Sequence, residues 1–281
     1  MKKIILTEQI IAKFRNHLIS QEKSESTIEK YCRDVKAFSV FAARKAISKE
    51  MAIAYKNRLK EEGYAIRSIN SMIASINSLF VFLGCAEYRI NAIKIQQQIF
   101  CSEEKELSKA EYERLVFTAE KQHNIRLSLI LQTICSTGMR ISELKFITVD
   151  AVKRGEAVVS CKGKTRSVFI VKELRKKLLR YCSEQEILSG SIFVTKTGRE
   201  IVRTNIWREM KNLCKEAKVD PQKVFPHNLR HLFARVFYGI EKDIAKLADI
   251  FGHSNINTTR IYIISTGIEH RRKMEQMRLV V

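Results

Sequence analysis

Two arginines, two histidines and a tyrosine stand at spacings that suit attack on a phosphodiester. His227, Arg230, His253 and Tyr262 fall in one stretch of chain, and Arg140 lies far upstream in Thr137-Gly138-Met139-Arg140. A phosphodiester presents two non-bridging oxygens. A guanidinium offers a planar fork that matches them and stays charged at any working pH. Arg140 and Arg230 together would offset the extra negative charge of a five-coordinate phosphorus transition state. Tyr262 supplies a phenol, which as a nucleophile needs a positive setting and removal of its proton. His227 and Arg230 are three apart and share one face at a helix N-terminus, an end that also favours a bound phosphate. Lys164, in the tight hairpin Lys162-Gly163-Lys164, is placed to protonate a departing 5′-oxygen as a general acid.

Each of these residues also has an ordinary reading. An isolated arginine or hairpin lysine is most often a solvated charge, and a tyrosine is most often a core or interface side chain. Arg140 departs from that reading because it lies between Gly138 and an apolar stretch. His227 and His231, four apart, could form half of a metal site, but no His-Glu-x-x-His pattern accompanies them. His231 reads as a structural histidine facing the interior or the helix flank. Seven cysteines, at 32, 85, 101, 135, 161, 182 and 214, form no Cys-x-x-Cys pair. They read as buried thiols of a reducing cytoplasm rather than a zinc site or a disulfide framework. Neither a metal nor another cofactor is expected.

The elements that must position these groups are mainly helical. Residues 8–22 place Ile10, Ile11, Phe14, Leu18 and Ile19 on one stripe. Ser26-Thr27-Ile28-Glu29 reads as a capping box, with Ile28, Tyr31, Val35, Phe38 and Phe41 behind it. A third helix covers roughly 49–61 and stops near Gly63, and a fourth starts at Ser68. Together they make a four-helix domain over residues 1–85. Residues 86–106 read as a linker, and the capping box Ser108-Lys109-Ala110-Glu111 opens a second domain over 107–281. That domain reads as mixed. Helices are expected near 109–121, 125–136, 172–182, 204–217, 228–239, 243–251 and 268–277, with a short one around Glu143. Apolar, β-branched runs at Phe146–Val149, Ala157–Cys161 and Ser167–Val171 read as strands, the last two joined by the turn 162–166 into a hairpin. The only prolines, Pro221 and Pro226, lie just before the His227 helix, where the chain must turn. The fold class expected is mainly α with a small antiparallel β-sheet.

The chain has 281 residues, with 51 Lys and Arg against 30 Asp and Glu and a net charge of +21. Residues 1–100 carry +8 and the remainder +13, so both halves are built to touch one long polyanion. No run of about 18 apolar residues appears, so no membrane span is expected. The apolar start Ile4-Ile5-Leu6 is broken by Thr7-Glu8-Gln9 too early for a signal peptide. Two function classes fit a basic, mostly helical chain: an enzyme acting on DNA phosphates, and a DNA-binding protein without catalysis. Charge does not separate them; the site residues favour the enzyme.

The motifs resemble those of the tyrosine recombinases, the phage integrase family that includes Xer-type members. The matching stretches are Thr-Gly-Met-Arg-Ile-Ser-Glu-Leu at 137–144, Lys-Gly-Lys-Thr-Arg at 162–166, His-Asn-Leu-Arg-His at 227–231, and Gly-His-Ser-Asn-Ile-Asn-Thr-Thr-Arg-Ile-Tyr at 252–262. They occur in family order and spacing, and the first domain fits the family's helical, SAM-like core-binding module. The resemblance implies that Arg140 and Arg230 hold the scissile phosphate and that Lys164 protonates the leaving 5′-hydroxyl. It implies that His227 assists proton transfer, that His253 hydrogen-bonds the phosphate, and that Tyr262 forms a 3′-phosphotyrosyl link. Glu143 matches a supporting acidic residue that orients the site. Neither ATP nor metal is implied, because the covalent bond stores the energy of the broken phosphodiester.

Further expectations come with the resemblance. The two domains clamp duplex DNA, and four protomers assemble on two sites and exchange strands through a Holliday junction. The segment 267–281 reads as a short basic helix passed to a neighbouring protomer. Phe251 replaces the usual leucine before Gly252-His253, and the hairpin is one residue shorter than the common form, so Lys162 stands as the alternative to Lys164. No arm-binding domain is expected before the first helical domain. A type IB topoisomerase, which shares the tyrosine chemistry, is the enzymatic alternative.

Overall fold

The structure is a computed structural model that describes residues 4–94, 106–161, 164–195, 198–263 and 274–277. The chain divides into two units, Met1–Gln97 and Gln98–Val281.

The first unit is built from α1 (Glu8–Ser20), α2 (Glu25–Ala42), α3 (Lys49–Glu61) and α4 (Ile66–Phe82). The stripe expected on α1 buries Ile11, Phe14 and Leu18, and Thr7 caps the helix by accepting the Ile10 N–H. The capping box expected at Ser26 is corrected. The helix α2 already starts at Glu25 behind an extended Ser24, so Ser26 and Glu29 lie within its first turns. The Ser24 hydroxyl meets those of Ser26 and Thr27 instead of a backbone N–H. The helix α4 likewise starts two residues before Ser68. Phe14, Phe38, Phe80 and Leu79 close the core. Residues past 85 join it. A 3₁₀ turn at Ala86–Tyr88 buries Tyr88, and Asn77 holds Ile90 by both its N–H and its carbonyl.

The second unit contains α5 (Lys109–Lys121), α6 (Ile125–Thr137), α7 (Val149–Arg154), α8 (Lys172–Glu184), α9 (Arg203–Ala217), α10 (Pro226–Glu241), α11 (Ile244–Phe251) and α12 (Ile256–Arg260). Strands β1 (Glu156–Cys161) and β2 (Lys164–Phe169) form an antiparallel pair. The capping box at Ser108 is present in full. One large core is packed by α5 to α9, the sheet and the start of α10. A smaller cluster of Ala234, Leu247, Phe251 and Tyr262 joins α10, α11 and the chain after α12.

Two expectations are corrected here. The run Phe146–Val149 is not a strand. It ends a 3₁₀ helix at Ile141–Phe146 and enters α7, which Thr148 caps by accepting the Ala151 N–H and Gly155 closes in the left-handed region. Six residues are too few to show helical periodicity, and the β-branched residues there read as strand. The second strand also begins earlier than expected. Lys164, Thr165 and Arg166 belong to β2, with Lys164 paired to Cys161 and Arg166 to Val159. Of the tail helix expected at 268–277, only residues 274–277 are among those described.

Candidate active site

The helix α6 ends on Gly138, whose φ of 64° lies in the left-handed region where glycine is at home. A Cβ at this position would fall 2.5 Å from Phe233 Cδ1 and 2.6 Å from Phe251 Cε1. The turn therefore requires glycine for its dihedral and for its close packing. The backbone then extends through Arg140, at φ −78° and ψ 151°, before the 3₁₀ helix that carries Glu143.

Glu143 is buried, with 1% of its side chain exposed. Its Oε2 accepts the Arg140 backbone N–H at 2.7 Å and Arg166 Nη2 at 2.9 Å, and its Oε1 accepts Arg140 Nη1 at 3.0 Å and Arg166 Nη1 at 2.9 Å. Burial alone would push this carboxyl up, but the hydrogen bonds from Arg166 and Arg140 outweigh it and hold the group down at about 2. Arg166 also donates from Nε to the Ile250 carbonyl at 3.0 Å, near the end of α11. Its stem fills the space beside Gly252, where a Cβ would lie 2.8 Å from Arg166 Cδ. One arginine on β2 thus joins the Arg140 turn to the helix that presents His253.

Arg230 is the largest fully buried side chain among the described residues. A buried guanidinium is costly unless its donors are met. Nη1 donates to the Gly138 carbonyl, and Nη2 donates to the Phe251 carbonyl at 3.4 Å and to His253 Nε2 at 3.1 Å. The guanidinium carbon lies 3.6 Å from the Phe251 ring centroid and 5.6 Å from that of Tyr262. Nε has no partner among the described residues. Burial, and then the Arg140 charge, bring Arg230 down to about 10, which leaves it charged at neutral pH.

Arg230 has only donors, so His253 Nε2 must accept, and the ring proton sits on Nδ1 and is given to Thr259 Oγ1 at 2.9 Å. Burial, and then the charges of Arg230 and Arg140, push His253 down to about 4. The ring is neutral at pH 7 and its tautomer is fixed by its neighbours. The short α12, which sequence periodicity does not reveal, brings Thr259 to this place and ends just before Tyr262.

The Tyr262 ring is buried within a cage of aromatic groups. Its centroid lies 5.2 Å from that of His227, 4.4 Å from His231, 5.0 Å from Phe251 and 5.9 Å from His253. His227 lies on the first turn of α10, and partial desolvation of its ring against Tyr262 and His231, then the charge of Arg230, lower its affinity for a proton. His231, read from sequence as structural, stacks closer to the tyrosine than His227 does. Burial and the neighbouring His227 lower it to about 4.

Five of the six expected site residues, Arg140, His227, Arg230, His253 and Tyr262, are thus linked in one network. Lys164 is placed by its backbone at the start of β2, two residues before Arg166. Lys162 lies outside the described residues. The network holds two guanidinium groups on one carboxylate and a third, that of Arg230, on backbone carbonyls and His253, together with neutral imidazoles and a phenol, an arrangement suited to an anionic oxygen-rich ligand. Among the described residues no cluster of three or more His, Cys, Asp or Glu is placed to hold a metal ion. Sequence reasoning gave no part to Arg166, Thr259 or the Phe251 ring. Arg166 stood at the end of the turn 162–166, in the motif Lys-Gly-Lys-Thr-Arg, where an arginine reads as one more solvated charge.

Comparison with known proteins shows the family of the chain. The sequence model of the phage integrase family matches residues 105–267, and that of the phage integrase N-terminal SAM-like domain matches residues 11–86. The chain is 28% identical to the tyrosine recombinase XerA of Pyrococcus horikoshii over 284 residues, which covers 98% of this chain and 96% of the relative. It is 28% identical to the tyrosine recombinase XerD of Halalkalibacterium halodurans over 266 residues, covering 85% and 87%. Among solved structures it shares its fold with a lambda integrase tetramer bound to a Holliday junction, at a TM-score of 0.72 and 17% identity over 90% of this chain and 76% of that one. With the family's two domain models matched in order along the chain, the protein belongs to the phage integrase family, the tyrosine recombinases, enzymes that cleave and rejoin DNA at specific sites.

Proposed function

We propose that this chain cuts and reseals duplex DNA through Tyr262, with residues 1–85 as a core-binding domain, 86–106 as a linker and 107–281 as the catalytic domain. The observation that carries the reading is the meeting of a phenol, a neutral histidine and a buried guanidinium. Tyr262 lies against His227, with the Arg230 guanidinium carbon 5.6 Å from the phenol ring centroid. Arg230 and Arg140 bind the non-bridging oxygens of the scissile phosphate, and Arg140, 41% exposed in its side chain, is the more open of the two. His227, neutral at pH 7, accepts the tyrosine proton as the phenol oxygen attacks phosphorus. The bond from phosphorus to the 5′-oxygen breaks, and Lys164 protonates that oxygen. The product is a 3′-phosphotyrosyl link and a free 5′-hydroxyl. Rejoining is the reverse displacement and draws on no ATP, because the phosphotyrosyl bond retains the energy of the phosphodiester. His253, whose Nε2 accepts from Arg230, orients that fork; it donates to the phosphate once its ring proton moves to Nε2, with the Thr259 hydroxyl then donating to Nδ1.

The partner is double-stranded DNA, consistent with positive charge on both halves of the sequence. A homotetramer on two sites is supported by the likeness to the lambda integrase tetramer. The work is that of a cytoplasmic or nucleoid enzyme; no helix among the described residues is long and apolar enough to cross a membrane.

The test uses DNA from the organism that encodes the chain. The purified protein is mixed with that DNA, covalent complexes are trapped in detergent, and the DNA attached to protein is sequenced to place the cut. Wild type should give adducts at a discrete site, and Tyr262→Phe should give none. Adducts persisting in that variant would refute the nucleophile. On the mapped site, joining of two copies without relaxation of an unrelated supercoiled plasmid separates recombinase from topoisomerase.

A further inference from the structure

We infer that Arg166 is a positioning residue for cleavage. By neutralising Glu143 from β2, it leaves the charge of Arg140 free for the scissile phosphate. This rests on the reading of Arg140 as a phosphate ligand. Glu143 has room for about four hydrogen bonds on its two oxygens. Arg140 and Arg166 each supply two, one to each oxygen. Their charges are used differently. The side chain of Arg166 is 13% exposed and that of Arg140 is 41% exposed. Arg166 therefore spends its fork inside the protein, in the bidentate geometry that pairs a guanidinium with a carboxylate. Arg140 gives Glu143 one Nη donor and a backbone N–H, and it keeps the rest of its fork facing outward.

Without Arg166, the buried carboxylate would have only Arg140 as a counter-ion. A buried carboxylate without full pairing is costly, so the pair would close on itself and the field seen by an incoming phosphate would fall. Arg166 also fixes geometry across three elements. It is paired opposite Val159 in the sheet, holds Glu143 on the Arg140 turn, and donates to Ile250 on α11, two residues before Gly252 and three before His253. A Cβ at position 252 would lie 2.8 Å from Arg166 Cδ, so glycine there leaves room for the Arg166 stem. Lys164, two residues earlier on the same strand, shares the strand that Arg166 ties down.

The experiment measures adduct formation on a short duplex carrying the mapped cleavage position, made with the ordinary phosphate or with a neutral methylphosphonate at the scissile linkage. Wild type, Arg166→Gln, Arg166→Lys and Arg140→Gln are compared at equal DNA occupancy. Arg166→Gln should bind the duplex as wild type does and form adduct about 100-fold more slowly, the scale of a loss of positioning. Arg166→Lys should recover part of the rate, because it restores charge without the fork. On the methylphosphonate duplex, where there is less charge to offset, the gap between Arg166→Gln and wild type should shrink to about tenfold or less. A wild-type rate for Arg166→Gln would overturn the inference. So would a gap of equal size on both linkages, which is the mark of a merely structural role. If Arg140→Gln itself cleaved at the wild-type rate, the reading of Arg140 would fail first. If Arg140→Gln failed and Arg166→Gln did not, only this inference would be lost. If fluorescence of the single tryptophan, Trp207, shows Arg166→Gln to be unfolded, Arg166→Lys carries the same comparison of linkages.

Discussion

Replacing Gly138 by alanine tests whether the Arg230 seat is as tightly determined as the geometry says. The substitution meets two penalties. Alanine at φ 64° costs about 1 kcal/mol relative to glycine. The new methyl group would also lie 2.5 Å from Phe233 and 2.6 Å from Phe251, so ring and backbone must shift. Overpacking of that kind costs about 1–3 kcal/mol more. Gly190, at φ 77° with nothing within 4 Å of its Cβ position, isolates the first penalty within the same unit. Trp207 is the single tryptophan and lies on α9, so its fluorescence follows unfolding of the second unit without contribution from the first. In urea, Gly190→Ala should lose about 1 kcal/mol and Gly138→Ala about 2–4 kcal/mol. The difference corresponds to a melting point lower by roughly 2–12 °C. Because the Gly138 carbonyl receives Arg230 and Phe251 underlies it, cleavage should slow as well. Equal losses for the two variants would refute the claim that this turn is packed against the arginine seat.

Two further outcomes follow from the same geometry. His231 and His253 stay neutral in the folded protein down to about 4, while in the unfolded chain they take up protons near 6.5. Between those values the unfolded state binds more protons, so their contribution is whole above pH 6.5 and is lost as pH falls toward 4. After allowance for their partial exposure, each should remove about 1–2 kcal/mol, read as a falling urea midpoint of Trp207 fluorescence. A midpoint that holds steady across that window would contradict the neutral assignments. Lys164→Ala should stop cleavage of an ordinary linkage yet cleave a duplex with sulfur at the scissile 5′ position, because a thiol with a pKa of about 8.5 leaves without an acid. Failure on both linkages would remove Lys164 from the role of proton donor.

The site was legible in the sequence to the degree that its residues carry local signals. Arg140 announces itself by following Gly138 at a helix end. His227 and Arg230 share the first turns of a helix that Pro226 starts. The capping box at Ser108 is a local pattern, and the stripe of α1 is periodic over three turns or more, long enough for spacing to decide. What stayed hidden was short or non-local. The helices α7 and α12 run for six and five residues, less than two turns. Arg166 finds its carboxylate 23 residues away and its carbonyl 84 residues away, contacts that only the folded hairpin creates. His231 reads as a core histidine on its own helix and becomes a wall of the tyrosine cage only when α12 returns to it.

The most direct measurement is to digest the trapped protein–DNA complex and find by mass spectrometry which peptide carries the nucleotide and at which end of the cut. A nucleotide should be joined through its 3′-phosphate to Tyr262, with a free 5′-hydroxyl on the other strand end. A link to another residue, or to a 5′-phosphate, would contradict that chemistry.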